Sequence, residues 1–404
     1  MAYSPMTARS REEHHRAATP LELFFDLCFV VAIAQAGARL VHALAEGHPG
    51  TGVIGYFLVF FGVWWAWMNF TWFASAYDVD DVPYRIATLV EIAGVLVYAA
   101  GVGRAFDEND WTVAVIGYVI MRVAQTAQWL RAAAGESGPA RAAALKYAAG
   151  LVICQAGWVA LLFAPEDSRR WLFLVMVAAE LMVPVVAERH HQTPWHAHHI
   201  VERYGLFTII VLGETIAAAT VAVKSAVDEH EALGELLPIA GGGLLIVFSA
   251  WWIYFAVPMH ERLNTNREAI PWGYGHLVIF ASGAAIGAGI EVAVEHAVGL
   301  GVPPDGVPGN ISQLAANAAV TVPSAVFLMT VWFLHSRHFK RGLAQQLTLP
   351  LCALALLACT WTGTYAVLYA GLVTAATVAI GLTLTTRSST HPSPAGSPSS
   401  PAGV

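Results

Sequence analysis

Twelve long apolar runs, set apart by short polar breaks, leave this chain few ways to fold. They lie near 20–44, 53–75, 84–105, 111–133, 142–163, 170–188, 198–223, 236–259, 272–298, 311–335, 347–363 and 365–385. A run of about 18 apolar residues is long enough to cross the hydrocarbon core of a bilayer as helix. Composition agrees: 57% of the residues are hydrophobic and 12% charged, whereas soluble domains carry about 25% charged residues. No soluble core of this length could hide so much apolar surface. The expected fold is therefore all-α, a polytopic transmembrane helical bundle of about twelve spans. Its least secure point is the polar break Thr360 to Thr364, without which the last two spans would merge.

Lys and Arg concentrate on the cytoplasmic side of membrane proteins. With the N-terminus inside, only Arg104, Arg169, Arg170 and Lys224 fall in outer loops, and Arg39 and Arg122 within spans. Every other basic residue then lies on the inner side. That bias predicts cytoplasmic N- and C-termini and an even number of spans. The basic residues form no stripe that could neutralise phosphates, so nucleic acid is not an expected partner. Cys28, Cys154, Cys352 and Cys359 sit inside apolar runs without metal-type spacing. Residues 1–19 hold no apolar segment of the signal-peptide kind, so the first span must target the chain.

The two halves resemble each other. Trp64-Trp65-Ala66-Trp67 matches Trp251-Trp252-Ile253-Tyr254, Ala100-Gly101-Val102 matches Ala288-Gly289-Ile290, Glu22 matches Glu202, and Trp129 matches Trp332. The separations grow in order along the chain. Six spans per half make the repeats parallel, an arrangement that often places a transport site between them. The expected divisions are an arm at 1–19, one six-helix repeat over 20–190, a second over 191–387, and a disordered Ser/Pro/Gly-rich tail at 388–404.

Ionisable residues inside spans are costly and are candidate functional groups. Thr19-Pro20-Leu21-Glu22 has the form of a capping box, which gives Glu22 a structural explanation. Asp26 lies one turn deeper on the same face, beyond the reach of capping, and needs a partner or a watered cavity. Glu214 follows Glu202 by twelve residues, an advance of about 18 Å that carries it toward the bilayer midplane. Arg122 is the basic residue nearest the middle of a span, with Gln125 and Gln128 following at helical spacing. A guanidinium cannot discharge, so it requires counter-ions; by depth these are Glu214 and Glu180, with Glu91 and Asp26 nearer the inner face. A structural ion pair and an anion-contacting role both remain open for it. His196, His198, His199, His260 and His276 should gather near the inner span ends. The spacing His198-His199-x-x-Glu202 does not match the zinc motif with glutamate between two histidines, which leaves His199 and Glu202 as weak metal candidates. No cofactor motif is present. Tyr77-Asp78-Val79-Asp80-Asp81-Val82-Pro83-Tyr84-Arg85 reads as a tight acidic turn whose aspartates cap the third span and pair with Arg85.

Thr19-Pro20-Leu21-Glu22-Leu23-Phe24-Phe25-Asp26-Leu27 resembles the opening signature of the bacterial low temperature requirement A (LtrA) family. The acidic turn at 77–85, and Glu202-Arg203-Tyr204-Gly205-Leu206-Phe207 with Leu212-Gly213-Glu214-Thr215, look like two further blocks of it. Tyr204 and Thr215 stand where Phe and Ser are expected, which keeps the aromatic ring and the hydroxyl. The resemblance runs from about residue 10 to about 385. It implies a multi-pass protein of the bacterial inner membrane, and it marks Glu22, Asp26, Asp78, Asp80, Asp81, Arg85, Glu202 and Glu214 as part of the family pattern.

The leading functional expectation is a proton-coupled transporter or permease of a small solute or ion, surrounded by lipid, with Asp26 or Glu214 as carrier and Arg122 as charge partner. An intramembrane enzyme acting on lipid and a non-catalytic stabiliser or sensor of the membrane are the alternatives. Convergence of Asp26, Glu214 and Arg122 on one cavity would favour transport, and separate packed interfaces would remove the main physical support for it.

Overall fold

The computed structural model describes residues 4–10, 16–228, 233–298, 311–340 and 342–389. Among them there is helix and no strand, as a backbone surrounded by lipid requires, because helices satisfy their own amide groups. The helices are α1 Pro20–Ala45, α2 Pro49–Tyr77, α3 Val82–Asp107, α4 Thr112–Gly135, α5 Gly138–Leu161, α6 Glu166–Ala187, α7 Ala197–Asp228, α8 Leu233–Tyr254, α9 Asn266–Ala297, α10 Gln313–Phe339, α11 Leu343–Cys359 and α12 Ala366–Ser389. All but α11 are apolar and long enough to cross a bilayer; α11 is apolar but only 17 residues long. The polar break near Thr360 is real: α11 ends at Cys359, and Gly363 turns the chain at φ +72°, a left-handed conformation that glycine adopts without strain. The tail expected to be disordered lies, from residue 390 on, outside the described residues.

Connections of a few residues join α1 through α6, so consecutive helices run antiparallel. Proline opens α1, α2, α3 and α5 in the first turn, where its missing N–H costs nothing. In α10 the backbone widens into a π turn at Trp332–Ser336. The most deeply buried helices are α9 and α2; α2 packs against α1, α3, α4, α7 and α9. That position decides the fate of the matched aromatics. Trp64 and Trp65 are buried, whereas Trp251 and Trp252 on α8 are each 47% exposed. Large apolar side chains such as Val152, Ile153, Val175 and Leu354 face outward, as on a surface whose solvent is lipid.

The N-terminal arm is bound to the helix ends on one face, here called the arm side. The Ser4 amide donates to Asp81 Oδ2 at 2.8 Å, the Ala8 amide to Glu136 Oε1 at 2.7 Å and the Arg9 amide to the Ala76 carbonyl at 2.9 Å. Met6 is buried, and its carbonyl lies so close to Gly135 that any side chain there would overlap it.

Candidate functional site

The arm-side ends of α1 and α7 meet in a buried cluster of charge. Thr19 and Glu22 form the reciprocal capping box: the Thr19 amide donates to Glu22 Oε2 at 2.7 Å and the Glu22 amide to Thr19 Oγ1 at 3.3 Å. Capping occupies one carboxylate oxygen only. The other, Oε1, lies 3.0 Å from Arg203 Nη1, 3.1 Å from His199 Nε2 and 3.6 Å from Arg16 Nη2. One turn on, Asp26 takes a forked contact from Arg203, Nε to Oδ2 at 3.0 Å and Nη2 to Oδ1 at 2.6 Å, and the Trp67 indole donates to Oδ1 at 2.7 Å. His199 and Arg203 stand four apart on α7 and so share the face turned to α1. Glu22, Asp26, His199 and Arg203 are all fully buried. Forming such a cluster is close to energetically neutral, but removing one member strands a buried charge at a cost of about 3–5 kcal/mol.

The acidic turn divides its labour. Asp81 caps α3 by accepting from the Tyr84 amide at 3.0 Å and holds Arg131 through both oxygens. Although burial opposes it, the hydrogen bonds from Arg131, Tyr84 and Ser4 keep the Asp81 carboxyl below its ordinary range. Asp80, at φ +44°, pairs with Arg85 on the surface, 2.8 and 2.7 Å away, and that contact lowers its pKa. Asp78 instead turns inward to Arg16, at 3.4 Å. Burial and the nearby Glu22 charge push the Asp78 carboxyl up. Arg16 also donates to the Ser75 and Ala74 carbonyls, at 2.5 and 2.9 Å, so the arm and the acidic turn close over the α1–α7 cluster.

Arg122 lies elsewhere, inside the first six helices. Its Nη2 is 2.7 Å from the Tyr118 hydroxyl and 3.6 Å from Glu180 Oε2. Trp65, Tyr118, Trp158 and Gln155 also donate to the Glu180 carboxylate, at 2.9, 3.1, 3.1 and 3.4 Å. Glu91 on α3 is also buried, and its Oε1 has no hydrogen-bond partner among the described residues. Of the four counter-ions expected for Arg122, Glu180 pairs with it; Asp26 is taken by Arg203, Glu214 stands apart, and Glu91 makes no ion pair with it among the described residues.

Glu214 is half-buried in an open cleft where α1, α7 and α9 meet, lined by Ala34, Gly37, Ala217, Gly287 and Glu291. Asp26, Glu214 and Arg122 thus occupy three places and share no cavity. Glu202, matched in sequence to Glu22, is half-buried, and its Oε2 is shielded with no hydrogen-bond partner among the described residues. His199 contacts Glu22 on α1 at 3.1 Å. His276 is buried in the second half. Its Nδ1 is 2.7 Å from the Trp272 carbonyl, which can only accept, so Nδ1 carries the proton and Nε2 accepts from Tyr254, 3.0 Å away. The buried His335, in the π turn, lies 5.4 Å from it ring to ring.

Sequence reasoning passed over Arg203, Arg16 and Arg131 because it grouped them with the solvated charges of the inner side. The signal was available for Arg203, which stands four residues after His199 on the same face of a helix whose partner carries two acids.

A helical membrane bundle, with a buried lock of carboxylates and guanidiniums joining the ends of α1 and α7, defines a multi-pass membrane protein with ionisable groups held inside its packing. The chain belongs to the family of bacterial low temperature requirement A proteins, whose model matches residues 17–384. It is also 26% identical over 296 residues to an uncharacterized protein of Rhizobium meliloti (strain 1021), across 69% of this chain and 70% of that one.

Proposed function

We propose that this protein is a proton-coupled permease for a small solute or ion in the bacterial inner membrane, with both termini cytoplasmic and two parallel six-helix repeats at 20–190 and 191–387. The repeat is supported by packing. Helix α1 packs on α2 and α3, α2 on α3 and α4, and α3, α4 and α5 each on the next; α7 through α12 repeat these neighbours, and α8 in addition packs closely on α12, for which α2 and α6 have no comparable contact.

The observation that carries the transport reading is the layering along α1, α7 and α9. The cleft with Glu214 and Glu291 lies on the half away from the arm. The Glu22–Asp26–Arg203 lock lies on the arm side of the same α1–α7 seam. From Arg203 to Glu214 is about 16 Å of helix. Between them Trp67 stacks on Phe207 at 4.3 Å and meets Phe280 edge-on at 5.5 Å, an apolar plug tied to the lock through the Trp67–Asp26 hydrogen bond. A proton accepted at Asp26 would weaken its hold on both Arg203 and Trp67, loosening lock and plug together. Glu214, in the open cleft, is the carboxyl placed to take the proton first. Arg122 takes no part in this route and serves to hold the first six helices together.

Proteoliposomes loaded with a pH-sensitive dye and given an imposed pH gradient test the route. Proton entry above that of empty liposomes is expected, with at least a tenfold loss in Glu214→Gln and in Asp26→Asn. Equal flux in both variants and the unaltered chain would overturn the assignment.

A further inference from the structure

A second cavity lies away from that seam. Between α2, α4, α5, α6 and α9, and opening at the connection from α6 to α7, is a narrow cleft of about 530 Å³ including its mouth. Its walls are mostly aromatic: Trp65, Trp72, Trp129, Tyr147, Trp195 and Tyr274 contribute to them. Several of these rings meet edge to face, Trp72 with Trp195 at 5.2 Å and Trp65 with Tyr274 at 5.5 Å, while Trp129 and Tyr147 stack face to face at 4.0 Å. At the mouth is Glu188. Tyr147 donates to its Oε1 at 2.9 Å and Asn266 to its Oε2 at 2.6 Å, so both oxygens are oriented. No Lys, Arg or His among the described residues pairs with it, in contrast to Glu22, Asp26 and Glu180.

We infer that this cleft is a binding site for an alkylated ammonium group, a cation whose charge is spread over methyl groups. Aromatic faces attract such a cation through their quadrupoles, most strongly where water is excluded, and tryptophan does so best. The walls also supply the apolar contact that its methyl groups need, which a hydrated metal ion would not use. Glu188 supplies the opposite charge without a protein cation to compete for it. The Asn69 amide donates to the Trp65 carbonyl at 2.8 Å, which leaves its oxygen as a further acceptor on the wall. A small ammonium alcohol combines these features, and so does the choline headgroup of a lipid. The site is independent of the transport route: it shares no residue with the α1–α7 lock, and its occupancy can be read without any flux.

Its wall reaches the core of the first six helices. Trp65 lines the cleft while its N–H donates to Glu180, so a cation held there would bear on the Arg122–Glu180 cluster through a single indole.

The test uses the full chain purified in a maltoside detergent and its intrinsic tryptophan fluorescence. Choline is titrated beside 3,3-dimethyl-1-butanol, the uncharged molecule of the same shape. Saturable quenching by choline at concentrations at least tenfold below those needed for the alcohol is expected, with at least fivefold weaker binding in Glu188→Gln at unchanged melting temperature. Short-chain phosphatidylcholine below its micelle concentration separates the two sources of the group: competition tighter than choline itself assigns a lipid headgroup, and weaker competition a free solute. Equal binding of choline and the alcohol would overturn the proposal by reducing the cleft to an apolar crevice. Absence of saturable quenching by either would overturn it outright. Both comparisons are made on the unaltered chain and so do not depend on any variant folding.

Discussion

Arg203 on α7 grips Asp26 on α1 through two parallel hydrogen bonds, Nε to Oδ2 at 3.0 Å and Nη2 to Oδ1 at 2.6 Å, across 177 residues of chain and with both side chains fully buried. The fork is a geometry that only a guanidinium can supply. Replacement by Lys, a point charge on a flexible stem, should therefore fail to restore it. Arg203→Lys and Arg203→Gln should each lower stability by about 3–5 kcal/mol, because Asp26 and part of Glu22 lose their counter-charge. In the double variant with Asp26→Asn, about 2 kcal/mol of that loss should return. Thermal unfolding of the detergent-solubilised protein measures all four corners of the cycle.

Glu180 accepts four side-chain hydrogen bonds, from Trp65, Tyr118, Trp158 and Gln155, and neutralises Arg122. Glu180→Ala leaves those donors and the guanidinium unsatisfied together and should cost at least about 3 kcal/mol. Glu180→Gln keeps one acceptor oxygen and should lose less. The order of melting temperatures, unaltered above Gln above Ala, checks the point.

The Asp81 carboxyl is held below its ordinary range in the folded chain, where it caps α3 and pairs with Arg131. A lowered folded pKa means that the stabilisation is present in full above the unfolded value, about 3.9. It is lost as pH falls through the folded value. Asp81→Asn should thus melt lower than the unaltered chain at pH 7, and the gap should narrow below about pH 4. A constant gap from pH 7 to pH 3 would contradict this.

Helices α3 and α4 touch backbone to backbone: a Cβ on Gly101 would collide with Ala114 and Val113, and one on Gly117 with Tyr98 and Gly94. Alanine at either glycine should force the helices apart at a cost of about 1–3 kcal/mol. Gly213 on α7 has open space around its Cβ position, so Gly213→Ala should be neutral or slightly stabilising in the same assay.

The helices were readable from sequence because a long apolar run in lipid has one backbone solution, and Thr360 to Thr364 was polar enough to mark the final break. The capping box at Thr19 and Glu22 was readable because its chemistry is local. Asp26 could be marked as needing a partner, yet its partner could not be named, since Arg203 stands near enough to a span end to pass for a solvated inner charge. The pairing of Arg122 with Glu180 was foreseen by depth. Depth alone could not separate Glu180 from Glu214, because the direction a side chain faces depends on helix rotation, which packing sets. The matched aromatics of α2 and α8 carry the same lesson: similar residues, but Trp64 and Trp65 face the packing while Trp251 and Trp252 face outward.

The lock between α1 and α7 also bears on the order in which the chain is made. Asp26 enters the membrane with α1, while the guanidinium that holds it is still 177 residues from being translated. At about 5–20 residues per second that interval is roughly 10–35 s. Throughout it, the first helix carries a carboxyl that lipid tolerates poorly and that neither Arg16 nor the capping box contacts. The first six helices therefore assemble around an unfinished seam, and the arrival of α7 completes the membrane protein by supplying the charge its opening helix has been missing since synthesis began.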